Sequence, residues 1–181
     1  MGLMSFFRRA NPDEQAAQAI YVSIVAQARN MPFYSVYGVP DSVDGRFDMI
    51  VLHAMLVMRR LRAEAEATKG LAQALFDYMF DDMDRSLREI GVGDMSVGKH
   101  IKKMAKAFYG RASECEAGLD GSEGVMSDAL KRTLYRSATP TDAQIAAMSR
   151  YLRHADAALA KVSSTDMRQA HLAWTVIDTA V

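Results

Sequence analysis

Four groups of residues in this 181-residue chain have types and spacings that could do chemistry. Gly93-Asp94-Met95-Ser96-Val97-Gly98-Lys99 matches the opening of a phosphate-binding loop, in which glycines let backbone N–H groups surround phosphate and the lysine meets its outer oxygens. The next position should be a serine or threonine that holds magnesium. It is His100, and no strand pattern precedes Gly93, so the segment reads as a capped corner between helices and not as a nucleotide site. Asp81-Asp82-Met83-Asp84, with Asp77 one turn earlier, groups carboxylates near one helix face, as in helices that hold a hard cation. Arg85 stands where a fuller pattern wants another acid, and no second aspartate-rich helix follows. An acidic face for solvent or a partner is therefore expected, with a small metal-dependent helical enzyme as the alternative.

The histidines are His53, His100, His154 and His171, and none pair at the three- or four-residue spacing of a helical metal site. His53 lies in an apolar run, where a hydrogen-bonded core histidine is expected; with Arg60 it is read as structural or as lining an internal polar site. Cys115 stands alone, which excludes an internal disulfide and a cysteine metal site, and Glu114 and Glu116 beside it disfavour a thiolate. Lys99, Lys102, Lys103 and Lys106, with Arg111 nearby, make a basic face that could meet the phosphates of ribosomal RNA or of anionic lipid, or simply face water. No catalytic residue and no cofactor are assigned.

Nearly every segment that would position these residues reads as helix. Asn11-Pro12-Asp13-Glu14 is a start signal, followed by a stripe of Ala17, Ile20, Tyr21, Ile24 and Ala28. Phe33 to Arg46 reads as a long aromatic loop holding Phe33, Tyr34 and Tyr37. Phe47 to Glu66 is helical and apolar nearly all round, which implies a core position or a partner on its second side. Lys69-Gly70 reads as a break, Leu71 to Ile90 as an amphipathic helix with acids off its stripe, and Val97 to Glu116 as its basic neighbour. Gly118 to Gly124 reads as a linker; Met126 to Arg136 as a short helix; Thr141 and Gln144 as a capping box; and Met167, Leu172, Trp174 and Ile177 as one last helix. The expectation is an all-α, single-domain bundle of about six to seven helices over residues 11–181, after a flexible segment 1–10.

Half of the residues are apolar, a quarter are charged and the formal net charge is zero, so a whole-molecule field for nucleic acid is excluded and any charged contact must be local. Thirteen methionines suit gap-filling in a helical core or an adaptable surface for apolar helices. Neither a secretory signal nor a membrane span is recognised, and a cytoplasmic location near the inner face of the membrane is expected. Phe6, Phe7, Arg8 and Arg9 could touch that surface.

Several ordered motifs together resemble the ubiquinol–cytochrome c chaperone family. They are Phe33-Tyr34, Tyr37-Gly38-Val39-Pro40-Asp41, Gly45-Arg46-Phe47, Leu52-His53 through Arg59-Arg60-Leu61-Arg62, Met83-Asp84-Arg85-Ser86-Leu87-Arg88-Glu89-Ile90-Gly91-Val92-Gly93-Asp94, and Phe108-Tyr109-Gly110-Arg111, spread over about residues 20–120. The resemblance implies an all-helical, non-catalytic assembly chaperone that binds newly made cytochrome b for the bc1 complex. It also implies contact with a small partner protein and the ribosomal exit region. A ribosome- or lipid-binding adaptor working through the lysine face is the weaker reading. The residues expected to meet the client are Phe33, Tyr34, Tyr37, Phe80 and Met83 by apolar contact, with Asp81, Asp84, Lys99 and Lys103 orienting it, since charges steer and select more than they add affinity.

Overall fold

The computed structural model describes residues 11–180. The expectation for residues 1–10, and for the aromatic and arginine pairs within them, lies outside the described residues. Eight helices are present among the described residues: α1 (Pro12–Ala28), α2 (Met31–Ser35), α3 (Val43–Ala63), α4 (Ala65–Glu89), α5 (Asp94–Asp120), α6 (Glu123–Thr133), α7 (Asp142–Leu159) and α8 (Ser164–Arg168). With no strand among the described residues, the fold is an all-α single-domain bundle. Helix α3 lies at its centre, touching α1, α4, α5 and α7. Its residues Val51 to Val57 are all buried, so the apolar second side seen in the sequence is used inside the molecule.

Local signals set most helix starts. Asn11 caps α1 through its side chain, which accepts from the Asp13 N–H at 3.1 Å. Ser42 does the same for α3, accepting from Gly45 N–H at 3.1 Å. Thr141 and Gln144 form the expected capping box on α7: the Thr141 N–H donates to Gln144 Oε1 at 2.9 Å and the Gln144 N–H to Thr141 Oγ1 at 3.2 Å.

Four element boundaries differ from the sequence reading, each for a packing reason. The aromatic loop is interrupted by α2, a single turn started by Pro32 that winds Phe33 into the core, so only Val36 to Ser42 remains irregular. Lys69-Gly70 does not break the chain. The break falls at Glu64, where Thr68 Oγ1 satisfies the last carbonyls of α3 by reaching Leu61 O at 2.5 Å and Glu64 O at 3.0 Å. Gly70 instead sits within α4 because a Cβ there would come within 2.5 Å of the Asp13 carboxylate at the start of α1. Helix α5 runs on to Asp120, since Gly118 lets it lie 3.0 Å (from a Cβ position) above Met126 of α6, and Arg153 of α7 donates to the carbonyls of Leu119 at 2.9 Å and Gly118 at 3.1 Å. The last helix ends at Arg168. Ala170 adopts φ +56°, and the His171 N–H returns to Asp166 O at 2.9 Å, a left-handed stop that sends Leu172 onward as an irregular strap.

Gly45 in the first turn of α3 has no room for a side chain, because a Cβ would overlap the carbonyl oxygen of Pro40. Gly98 of α5 has nothing within 4 Å of the same position. Gly45→Ala is expected to destabilise the protein by about 2 kcal/mol or more through backbone displacement, and Gly98→Ala to stabilise it by about 0.5–1 kcal/mol through helix propensity. Urea unfolding of the two variants checks both signs; equal effects would contradict the close approach at Pro40.

Candidate functional site

The residues singled out in the sequence divide into an internal polar node and an open groove. At the node, α3 carries a histidine into apolar surroundings, and other helices supply its partners. His53 Nδ1 lies 2.8 Å from Met49 O, and Nε2 lies 2.8 Å from Tyr151 Oη of α7. A carbonyl can only accept, so Nδ1 bears the hydrogen and Nε2 accepts from the Tyr151 hydroxyl. Gln27 Nε2 of α1 in turn donates to Tyr151 Oη at 3.0 Å, which completes a chain with one donor for each acceptor. Phe33 and Trp174 close edge-on over the imidazole with ring centroids at 5.5 and 5.3 Å. Trp174 is held by its Nε1–H on Ser23 Oγ at 2.9 Å. The site is fully buried, and that burial pushes the imidazole down to about 4, so His53 is neutral.

A second buried polar group, Asp48, lies five residues before His53 on α3. Asp48 is 2% exposed and meets the guanidinium groups of Arg111 of α5, at 2.7 Å, and Arg136, just beyond α6. The Arg111 approach is too poorly aligned for a hydrogen bond, so that contact is coulombic. Burial raises the Asp48 carboxyl, opposed first by the Arg136 hydrogen bond and then by the charge of Arg111. Arg111 also lies over the Phe47 ring at 5.3 Å from its centroid, so it turns inward and leaves the lysine face to which the sequence pattern joined it. Arg60 is likewise inward, donating from Nε to Val162 O at 2.8 Å and pairing with Glu64.

The groove lies where α3, α4 and α5 meet, with a volume of about 480 Å3. Met55 and Met58 form its floor with Leu61; Ala72 and Phe76 form one wall, and Phe108, Tyr109 and Ala112 the other. Phe76 stacks on Tyr109 at 5.6 Å and 30° and leans on Phe80 at 4.6 Å. The rim is polar: Arg62 pairs with Glu116 across one end, beside Lys69 and Gln73. Such a cleft can take apolar side chains of another chain while its charged rim fixes their direction.

Placement of the expected contact residues is uneven. Phe33, Tyr37, Phe80 and Met83 are buried at 0, 1, 9 and 6% exposure, so in this structure they build the core, because α2 and the α4 stripe turn them toward His53 and Phe108. Tyr34 is half-buried, its hydroxyl donating to Ala28 O at 2.7 Å. Asp81, Lys99 and Lys103 are exposed, and Asp84 is partly exposed and paired with Arg88 at 2.5 Å. The structure thus does not gather these nine residues into one site. The groove residues Met58, Phe76 and Tyr109 carry no contact expectation from the sequence, where aromatics on two amphipathic helices are visible but their exposure and facing are not.

The aspartates do not converge on a cation. Asp82 accepts from Tyr21 of α1 at 3.2 Å and Asp77 from Gln73 at 2.7 Å, while Asp81 and Asp77 line a separate polar cleft of about 550 Å3 against the start of α1. Among the described residues, no group of three or more histidines, cysteines or carboxylates could hold a metal ion. Cys115 is buried against Thr133 at 3.6 Å, and burial lifts its thiol to about 11, far from a reactive thiolate.

A helical bundle with an open, charge-rimmed apolar cleft is the class that fold and site define. The ubiquinol-cytochrome C chaperone family model matches residues 35–174, and the chain belongs to that family. The crystal structure of the Cbp3 homolog from Brucella abortus superposes with a TM-score of 0.80 at 32% identity, covering 92% of each chain. The ubiquinol-cytochrome c reductase complex assembly factor 1 of Mus musculus is 22% identical over 138 residues, 76% of this chain and 47% of that protein. Its counterpart from Xenopus laevis is 20% identical over 138 residues, with 69% of that protein covered. This chain therefore spans about half the length of the Mus musculus relative. The family match runs past Gly121 through α6, α7 and α8 to Trp174, the residue that closes over His53.

Because the folded pKa of His53 is depressed, the unfolded chain takes up a proton near pH 6.5 that the folded chain refuses until about 4. Stability from this residue is complete above pH 6.5 or so and falls as pH drops through that window, by on the order of 3 kcal/mol in total. His53→Gln is expected to flatten the fall in urea-unfolding free energy between about pH 6.5 and 4.5 relative to the unsubstituted protein. An unchanged slope would place the sensitivity elsewhere.

Proposed function

We propose that this protein is a non-catalytic assembly chaperone of the ubiquinol–cytochrome c reductase complex, and that the groove between α3, α4 and α5 binds unassembled cytochrome b. The observation that supports this most is the groove itself: an apolar cleft floored by methionines, half-open, and walled by stacked aromatic rings. Methionine and aromatic surfaces adapt to apolar side chains of varied shape, as a transmembrane helix presents. The Arg62–Glu116 pair at the rim gives the client helix a direction without filling the cleft.

Family membership supports the complex as the destination, and the relatives are named as assembly factors of that complex. Of the residues expected from the sequence, Asp81, Asp84, Lys99 and Lys103 keep accessible atoms for orienting a client, and half-buried Tyr34 keeps some for apolar contact. In this reading the protein works on the cytoplasmic side of the membrane that receives cytochrome b. No helix among the described residues is long and apolar enough to cross that membrane.

A photo-reactive amino acid placed at Met58, in the groove floor, or at Tyr109, in its wall, is expected to give an adduct containing cytochrome b in growing cells. Tyr109→Asp, at an exposed ring, is expected to keep the fold and to lower the content of assembled complex several-fold in a strain without the native gene. Adducts lacking cytochrome b from both positions, or normal complex in the variant, would defeat the assignment of the groove.

A further inference from the structure

The outer face of α5 has a composition that its own fold does not explain. Met95, Lys99, Lys102, Lys106, Tyr109 and Ser113 recur at steps of four and three residues, so they run along one side of the helix over roughly 27 Å. Lys103 flanks the same side. The inward face, with Val97, Phe108, Ala112 and Cys115, lies opposite. No acidic residue occurs between Asp94 and Glu114, and among the described residues none of the four lysines lies in an ion pair. A face shaped only for water usually mixes signs.

Apolar groups stand at both ends of this stripe. Met95 is fully exposed at 102% and Ile90, across the α4–α5 turn, at 77%, while Tyr109 at the far end is 59% exposed. Gly98 and Gly110 flank the lysines in sequence, and a Cβ at either would meet nothing within 4 Å, so no internal close approach requires them. Both lower the profile of a helix face toward whatever lies outside. Nearby acids do not cancel the stripe locally: Asp84 of α4 and Asp94 at the start of α5 are both engaged by Arg88, and Asp82 of α4 accepts from Tyr21. Asp81 and Glu89 remain exposed on α4, on the other side of the hairpin's packed seam.

We infer that this face of α5 docks flat on an anionic lipid surface, with the lysines over the phosphate headgroups and Met95, Ile90 and Tyr109 entering the interface. Lysine ammonium groups attract anionic headgroups individually, and their alkyl stems can lie along the surface while the charge stays in water. A phosphate backbone of RNA would satisfy the lysines equally but gives no reason for exposed methionine and isoleucine at the tip. Tyr109 belongs both to this face and to the wall of the groove, so docking would set the groove mouth beside the bilayer. The inference stands apart from the client reading, since it concerns only lipid and this chain.

Co-sedimentation of the full chain with vesicles tests it, using phosphatidylcholine alone and phosphatidylcholine mixed with phosphatidylglycerol. Binding is expected only to the mixed vesicles, and is expected to weaken as salt rises. The quadruple variant K99Q/K102Q/K103Q/K106Q, with its helical circular dichroism unchanged, is expected to lower the partition coefficient at least about tenfold. Met95→Ser with Ile90→Ser is expected to lower it several-fold while the salt dependence stays. Absence of binding to the mixed vesicles, unchanged binding by the quadruple variant, or tighter binding to a structured RNA than to those vesicles would overturn the inference.

Discussion

Everything in this bundle is arranged around a helix that cannot face water. Helix α3 buries residues on almost every side, yet it carries His53, Asp48 and Arg60 inward along with its apolar side chains. A buried polar group without a partner costs about 1–3 kcal/mol, and more when charged, so each must be met by another element. Tyr151 of α7 meets His53, Arg111 of α5 and Arg136 meet Asp48, and the Val162 carbonyl after α7 meets Arg60. These contacts join positions far apart in sequence and fix how the helices are placed about α3. They also give a role to the C-terminal strap, because Trp174 covers the imidazole from outside.

The groove follows from the same arrangement. Where α3 emerges toward Met55 and Met58, α4 and α5 cover it incompletely, and the remaining apolar surface is lined by Phe76, Phe108 and Tyr109. An internal site for a metal or an acid–base pair is not what these residues assemble; the converging chemistry is apolar contact with charge at the edge. Such a surface suits a chain that must be held briefly and released, because the rim selects and the cleft supplies area.

Charge is segregated with equal consequence. The chain is neutral overall, but Asp82 and Asp84 of α4 are engaged by Tyr21 and Arg88, and Asp94 at the α4–α5 turn also by Arg88, whereas α5 leaves its lysines outward. Arginine and lysine divide the work. The arginines at positions 60, 111, 136 and 153 reach buried carbonyls and carboxylates, where a planar fork of several donors is needed, and the α5 lysines remain as solvated point charges.

Much of this was legible in the residues. Helical periodicity, the Asn11 start, the Thr141–Gln144 box and the apolar roundness of α3 are local or single-helix properties, and the ordered motifs from Phe33 to Arg111 pointed to the family. Sequence also set His53 apart from a metal ligand, since no second histidine stands at helical spacing. What it did not determine was direction. Whether Phe33, Tyr37 and Phe80 face a client or the core depends on a one-turn helix and on what packs above it. Whether Gly70 ends a helix or admits Asp13 depends on a neighbour more than fifty residues away in the chain. Ala170 stopped the last helix through a backbone conformation that alanine rarely adopts. Periodicity specifies which residues share a face; only the packing of one helix against another decides which faces are left for a partner.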